Sequence, residues 1–180
     1  LGFDDREAFR HALRDAGRTL DAAEIDRMIA EKTARVQRAL AADVPALPGA
    51  AELVRALAAA GVPAAICSAA LREEIELAVG AMGVRGCFAA LVAAQDVERC
   101  KPDPQGYALS LNRLRAATGR ALPAGDCCAC EDSPAGIRAA KAAGLRVLAV
   151  TSSYAAADLH EADAVVPNLA ATSPADLARL

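Results

Sequence analysis

Three short stretches of this 180-residue sequence carry side chains that could do chemistry. Ser68 ends the apolar run A-A-I-C-S, Lys101 sits in D-V-E-R-C-K-P-D-P, and Glu131, Asp132 and Ser133 stand together in C-E-D-S-P-A-G. Adjacent carboxylates repel unless a cation or hydrogen bonds offset their charge, and hard oxygen donors of this kind suit Mg²⁺. Ser133 followed by Pro134 reads as an N-cap and a first helical position, so a helix N-terminus should point N–H groups at the same place, an environment that favours an anion such as phosphate. Each feature has an ordinary reading when taken alone: a small polar residue closing a strand, a solvated loop cation, an acidic pair complementing a helix dipole. A hydroxyl, a lysine and an acidic pair after three separate strands is a far less common coincidence. Lysine is also a rare choice here, with three (Lys32, Lys101, Lys141) against 17 arginines.

The elements that must hold these groups follow from the pattern around them. Residues 5 to 41 have helical periodicity, with Phe9, Leu13 and Ala16 on one face, a break at Gly17, and a capping box from Asp21 to Glu24 opening a second helix. The stretch from Ala42 to Pro48, with Pro45 and Pro48, reads as a linker. After it a repeated grammar begins: a helix end, a glycine able to take the left-handed cap (Gly61, Gly83, Gly119, Gly144), then a short apolar strand. The strands drawn this way are Pro63 to Cys67, Phe88 to Ala93, Cys127 to Cys130, Leu145 to Val150 and Ala164 to Val166. Alternating helices and strands that are apolar on both faces predict an α/β fold with a doubly wound parallel sheet. In such sheets chemistry gathers at the carboxyl ends of the strands, where Ser68, Lys101 and Glu131-Asp132 fall.

Composition narrows the functions open to such a fold. Forty-eight alanines make up about half of the 54% apolar fraction, which fits a globular, helix-padded core. The formal charge of −3, an aromatic fraction of 3% and the lack of Trp argue against a nucleic-acid surface. The longest uncharged run, 16 residues from Ala56 to Leu71, is broken by Gly61 and Pro63 and falls short of the roughly 18 that suggest a membrane span. Two histidines leave little room for histidine-built zinc sites or triads. The first residues lack the basic and apolar regions of a signal peptide, so the six cysteines are expected as reduced thiols in a cytoplasmic protein. Most of them lie in apolar strand runs and should behave as small hydrophobes, a thiolate metal site around Cys127, Cys128 and Cys130 being the alternative.

From Leu47 onward the strings L-P-G-A-A-E-L-V-R-A-L, I-C-S, D-V-E-R-C-K-P-D-P and C-E-D-S-P-A-G-I-R-A-A-K-A-A-G resemble the haloacid dehalogenase superfamily, in its phosphatase and β-phosphoglucomutase-like branch. The resemblance implies a Rossmann-like core (residues 45–180) and makes residues 1–44 similar to the back half of a small α-helical cap. It implies that Ser68 hydrogen-bonds a transferring phosphoryl group, that Lys101 neutralises phosphate and nucleophile, and that Glu131 and Asp132 hold Mg²⁺. In the cap, Arg6 and Lys32 fall near positions that contact the distal part of the substrate in some members, and each would serve equally as a solvated helix cation.

Two departures matter. The family's first motif, an apolar strand ending in Asp-x-Asp that supplies the nucleophile, is absent. Asp4-Asp5 comes nearest, but it opens a helix with no strand before it. The resemblance therefore implies a core lacking its first, central strand, with the order of 50 to 70 further residues upstream. The strands ending at Cys67 and Cys130 would then not be neighbours, and both would present unpaired edges. After Ser68 the sequence reads A-A-L-R-E-E, without the further Ser and the Lys-Asn pair that grip a second phosphate in the sugar-phosphate mutases, a place Arg72 could partly fill. The expectation is an Mg²⁺-dependent phosphatase acting on a small phosphorylated metabolite of the sugar phosphate class. The alternatives are a phosphosugar mutase and a non-catalytic phosphometabolite-binding relative.

Overall fold

The computed structural model describes residues 5–42 and 46–180. Asp4, and the expected boundary between residues 44 and 45, lie outside the described residues.

The N-terminal part is a pair of helices, α1 (Asp5–Asp15) and α2 (Ala22–Ala42). The capping box forms as expected: the Asp21 N–H donates to Glu24 Oε2 at 3.0 Å and the Glu24 N–H donates to Asp21 Oδ1 at 2.8 Å. Leu13 and Ile25 are its buried apolar residues, whereas Ala16 is exposed because α1 has ended by then.

The alternating part runs α3 (Ala50–Ala59), β1 (Ala64–Cys67), α4 (Arg72–Ala81), β2 (Phe88–Val92), α5 (Gln105–Thr118), β3 (Cys128–Glu131), α6 (Pro134–Ala142), β4 (Arg146–Val150), β5 (Ala164–Val166) and α7 (Pro174–Ala178). The strands fall within a residue of the positions read from sequence, and the fold is α/β with every strand pair parallel. The glycine grammar is realised in the backbone. Gly119 ends α5 at φ 65°, and Gly144 turns α6 into β4 at φ 83°, conformations that side-chain-bearing residues resist.

The strands form two sheets. β1 pairs with β2, β4 lies between β3 and β5, and β1 does not pair with β3. Burial follows the pairing. Four of the five β4 residues are buried, as befits a strand with neighbours on both edges and helices on both faces, while β1 is only half-buried throughout and Cys130 of β3 is exposed. One element ties the halves together. α5 packs against β1 and β2 and also touches α6. Its Tyr107 joins the core cluster of Ala129, Ile137, Val147 and Leu159 on the β3–β4 side.

Candidate active site

The carboxyl ends of β1, β3 and β4 and the loop after β2 open into one cleft of about 400 Å³, whose lining includes Ser68, Lys101, Glu131, Asp132, Ser133 and Ser152. The topology accounts for this convergence, since parallel strands place all their carboxyl ends at one edge.

Ser68 follows β1 directly. Its N–H donates to Val92 O at 3.0 Å, continuing the β1–β2 ladder one residue past the strand. Its Oγ accepts from the Ala70 N–H at 3.1 Å, which fixes the oxygen and leaves the hydroxyl hydrogen to donate. Lys101 reaches the cleft from the loop between β2 and α5, through a cis Lys101–Pro102 peptide. Its Nζ donates to Cys67 O at 3.2 Å and to Glu131 Oε1 at 2.5 Å. It also lies 5.1 Å from the centre of the Tyr107 ring. An ammonium has three N–H bonds, so two held by protein leave one for a ligand.

Glu131, the last residue of β3, is 7% exposed. Besides Lys101, its Oε1 takes a hydrogen bond from the Tyr107 hydroxyl, and its Oε2 accepts from Ser133 Oγ at 3.5 Å. Gly136, in the first turn of α6, presses on the same carboxylate: a Cβ there would overlap it. Glu131 is thus fixed by three donors and a backbone wall. Asp132 is only half-buried, and its Oδ2 accepts from Ser153 Oγ at 2.5 Å and Ser152 Oγ at 3.4 Å. Its Oδ1 takes no hydrogen bond from the described residues.

Ser133 is the α6 N-cap with Pro134 behind it, as expected. The helix offers less to an anion than the sequence suggested. Ser133 Oγ already accepts the Gly136 N–H at 3.1 Å, and proline has no N–H, so Ala135 alone retains a first-turn donor of this kind.

The three other cations singled out in the sequence are placed elsewhere. Arg6 pairs with Asp26 within the helical pair. Lys32 bridges Asp5 and Glu74, both at 3.1 Å, joining α2 to α4. Burial pulls the Lys32 ammonium down, but the hydrogen bonds to Glu74 and Asp5 more than reverse this and hold its pKa above the ordinary 10.5. Arg72 reaches Asp96 at 2.5 Å. None of the three lines the cleft.

Asp5 opens α1 and is held by Lys32, so it contributes no carboxylate to the cleft.

Sequence reasoning passed over three residues. Ser152 and Ser153 follow β4 in the run T-S-S, the same signal of polar residues after an apolar strand that picked out Ser68. Tyr107 was hidden in the buried stripe Tyr107, Ser110, Leu111 and Leu114 of α5, where periodicity reads it as core.

The cysteines behave as small hydrophobes. All six are free. Burial is the main force raising the Cys67 thiol, with the Lys101 charge working against it. Cys130 is open to solvent on one side, yet the surrounding protein pushes its thiol up to about 12, so both stay neutral near pH 7. No group of three or more His, Cys, Asp or Glu that could hold a metal occurs among the described residues. The donor set at the cleft still fits Mg²⁺, which takes one or two protein carboxylates and completes its shell with water and substrate oxygens. Asp132, with one oxygen uncommitted, is suited to direct contact. Glu131, whose oxygens are already engaged, is suited to contact through water.

The family model for haloacid dehalogenase-like hydrolases matches residues 2–144. The chain belongs to this family. Among curated proteins, this family member is 35% identical over 130 residues to the validoxylamine A 7'-phosphate phosphatase of Streptomyces hygroscopicus subsp. limoneus, covering 71% of this chain and 58% of that one. It is also 35% identical over 147 residues to Protein CbbY of Rhodobacter capsulatus, covering 79% and 62%. The chain therefore spans about six-tenths of the length of these relatives. Among solved structures, CbbY from Rhodobacter sphaeroides in complex with xylulose-(1,5)bisphosphate superposes with a TM-score of 0.85 at 27% identity, covering 98% of this chain and 78% of that one. The β-phosphoglucomutase of Clostridium difficile shares the fold, with a TM-score of 0.82 at 20% identity. Among the described residues no helix is long and apolar enough to cross a membrane.

Proposed function

We propose that the cleft is the phosphate-handling half of an Mg²⁺-dependent phosphatase acting on a small phosphorylated metabolite, a sugar phosphate being the favoured class. The observation that carries this reading is the meeting of Ser68, Lys101, Glu131 and Asp132, from separate strand ends, in one cleft. The Ser68 hydroxyl and the remaining Lys101 N–H hold two phosphoryl oxygens, and Lys101 offsets their charge in a site where water is restricted. Bound at Asp132, with Glu131 behind its water shell, Mg²⁺ would supply further charge neutralisation for the phosphoryl group.

The nucleophile of the proposed reaction is an aspartate on a strand seated between β1 and β3, a segment the described residues do not include. Among the described residues β1 pairs only with β2 and β3 only with β4, and Cys67 and Cys130 of these two strands line the same cleft, which supports that seat. The carboxylate oxygen bonds to phosphorus as the ester oxygen leaves and takes a proton; water then cleaves the aspartyl-phosphate to free phosphate. The lack of a disulfide among the described cysteines supports the reducing, cytoplasmic setting expected from sequence.

The test is a screen of phosphorylated metabolites with the full-length protein. Mg²⁺-dependent release of inorganic phosphate from a monoester is the expected result. Conversion of one hexose phosphate into its isomer without phosphate release replaces hydrolysis with mutase chemistry, and binding without turnover makes the protein a phosphometabolite binder.

A further inference from the structure

We infer that Tyr107 is a positioning residue of this site: its hydroxyl holds the Glu131 carboxylate in the one orientation that sets Lys101 against an incoming phosphate. The inference rests on the proposed phosphate-handling role of the cleft and adds to it a residue from the core of α5.

Tyr107 stands where an amphipathic helix needs only an apolar side chain. It is 7% exposed, within the stripe that α5 turns inward. A phenylalanine or leucine would fill the same volume without placing a polar atom in the interior. A buried hydroxyl is costly unless satisfied, and this one donates to Glu131 Oε1, the same oxygen that receives Lys101 Nζ. Phenol and ammonium therefore share one acceptor, and the ammonium also lies over the phenol ring. The ring contributes cation–π attraction, and the hydroxyl takes part of the carboxylate charge that Lys101 would otherwise absorb alone. Burial, and then the neighbouring Glu131 charge, raise the Tyr107 pKa well above 10.

The location gives the contact its leverage. Lys101 and Tyr107 come from the loop and helix attached to the β1–β2 sheet, whereas Glu131 ends β3 of the other sheet. Lys101 also holds Cys67 O, at the end of β1. The Lys101–Glu131–Tyr107 triangle is therefore a joint between the two sheets, built directly beneath the cleft. Gly136 closes the far side of the carboxylate, so Glu131 has no room to retreat toward α6. Without the hydroxyl, Oε1 has Lys101 as its only donor among the described residues. The ammonium is then drawn fully into the ion pair, away from the phosphate position.

The test is Tyr107→Phe in the full-length protein, which keeps the ring and removes only the oxygen. Inorganic phosphate binding in the presence of Mg²⁺, followed by calorimetry, should weaken about tenfold, within the range seen when groups supporting a primary ligand are removed. In a Glu131→Gln background the same substitution should change phosphate affinity less than twofold, because the acceptor charge it supports is gone. Equal affinity for Tyr107→Phe and the parent, or an undiminished effect in the Glu131→Gln background, would make Tyr107 simple core packing and overturn the inference.

A second readout is independent of phosphate binding. In protein labelled with 3-fluorotyrosine, the Tyr107 signal is assigned as the ¹⁹F resonance that disappears on Tyr107→Phe. That resonance should move on Glu131→Gln and stay in place on Ser68→Ala. If the parent binds no phosphate, the reading of the cleft fails, and the resonance alone decides the contact: no shift on Glu131→Gln overturns it.

Discussion

Replacing glycine by alanine inside a helix ordinarily stabilises a protein by about 0.5–1 kcal/mol, and Gly136→Ala should do the opposite. Gly136 is buried in the first turn of α6, and a Cβ there would overlap the Glu131 carboxylate. A free glutamate would swing aside at little cost. This one is held by Lys101 and Tyr107 on Oε1 and by Ser133 on Oε2. Moving it gives up at least one charge-assisted hydrogen bond, each worth roughly 1.5–3 kcal/mol. Against the helix gain of about 0.5–1 kcal/mol, the net expectation is a destabilisation of about 0.5–2.5 kcal/mol. Urea denaturation of the full-length protein reads this as a lowered midpoint with an unchanged slope. The companion variant is Glu131→Ala. In that background the obstruction is gone, and Gly136→Ala should be neutral or stabilising. A Gly136→Ala single variant more stable than its parent would refute the reasoning, since Glu131 would then be loosely held and poorly suited to fixing Lys101.

Two further outcomes follow from the ion pairs outside the cleft. Asp96 accepts from Arg113 at 3.0 Å, from the Ala93 N–H at 2.8 Å and from Arg72 at 2.5 Å. Led by Arg113, these hold its pKa at about 2 against an ordinary 3.8. Because the folded value lies below the unfolded one, the stabilisation is complete above about pH 4 and disappears as pH falls through about 2. The two guanidinium groups are 39% and 37% exposed, which reduces the contribution to about 1 kcal/mol. The stability gap between parent and Asp96→Asn should accordingly shrink from pH 6 to pH 2, and a gap constant with pH would count against the pairing. Lys32→Met should cost about 1–3 kcal/mol, because among the described residues it leaves Glu74, 4% exposed, with the Leu71 N–H as its remaining partner. Adding Glu74→Gln should recover part of the melting temperature, and a double variant no more stable than Lys32→Met would remove the pair from the account.

What the sequence disclosed and what it withheld divide along the range of the interactions. The capping box at Asp21 and Glu24, the Ser133 cap and the glycine-ended helices depend on residues within four positions of one another, and all form as read. The convergence of Ser68, Lys101, Glu131 and Asp132 was also legible, because parallel strands bring their ends to one edge whatever their order. The fates of Arg6, Lys32 and Arg72 were not. Their partners lie 20, 42 and 24 positions away in the chain, at Asp26, Glu74 and Asp96, and only packing brings them together. Tyr107 was invisible for a related reason. A buried stripe identifies a residue as core without revealing what its one polar atom will meet. Cys130 was read as a buried strand residue and is exposed, because β3 pairs on one edge only.

Asp132→Asn in the full-length protein tests the central claim most directly. It keeps the shape of the side chain that accepts from Ser152 and Ser153 while removing the charge that would face Mg²⁺. With a phosphate monoester turned over by the parent, the account predicts that Mg²⁺-dependent phosphate release falls by more than about 100-fold while the protein stays folded, an effect at the upper end for loss of a metal-supporting group. Release at the parent rate, with the same dependence on Mg²⁺, would contradict it.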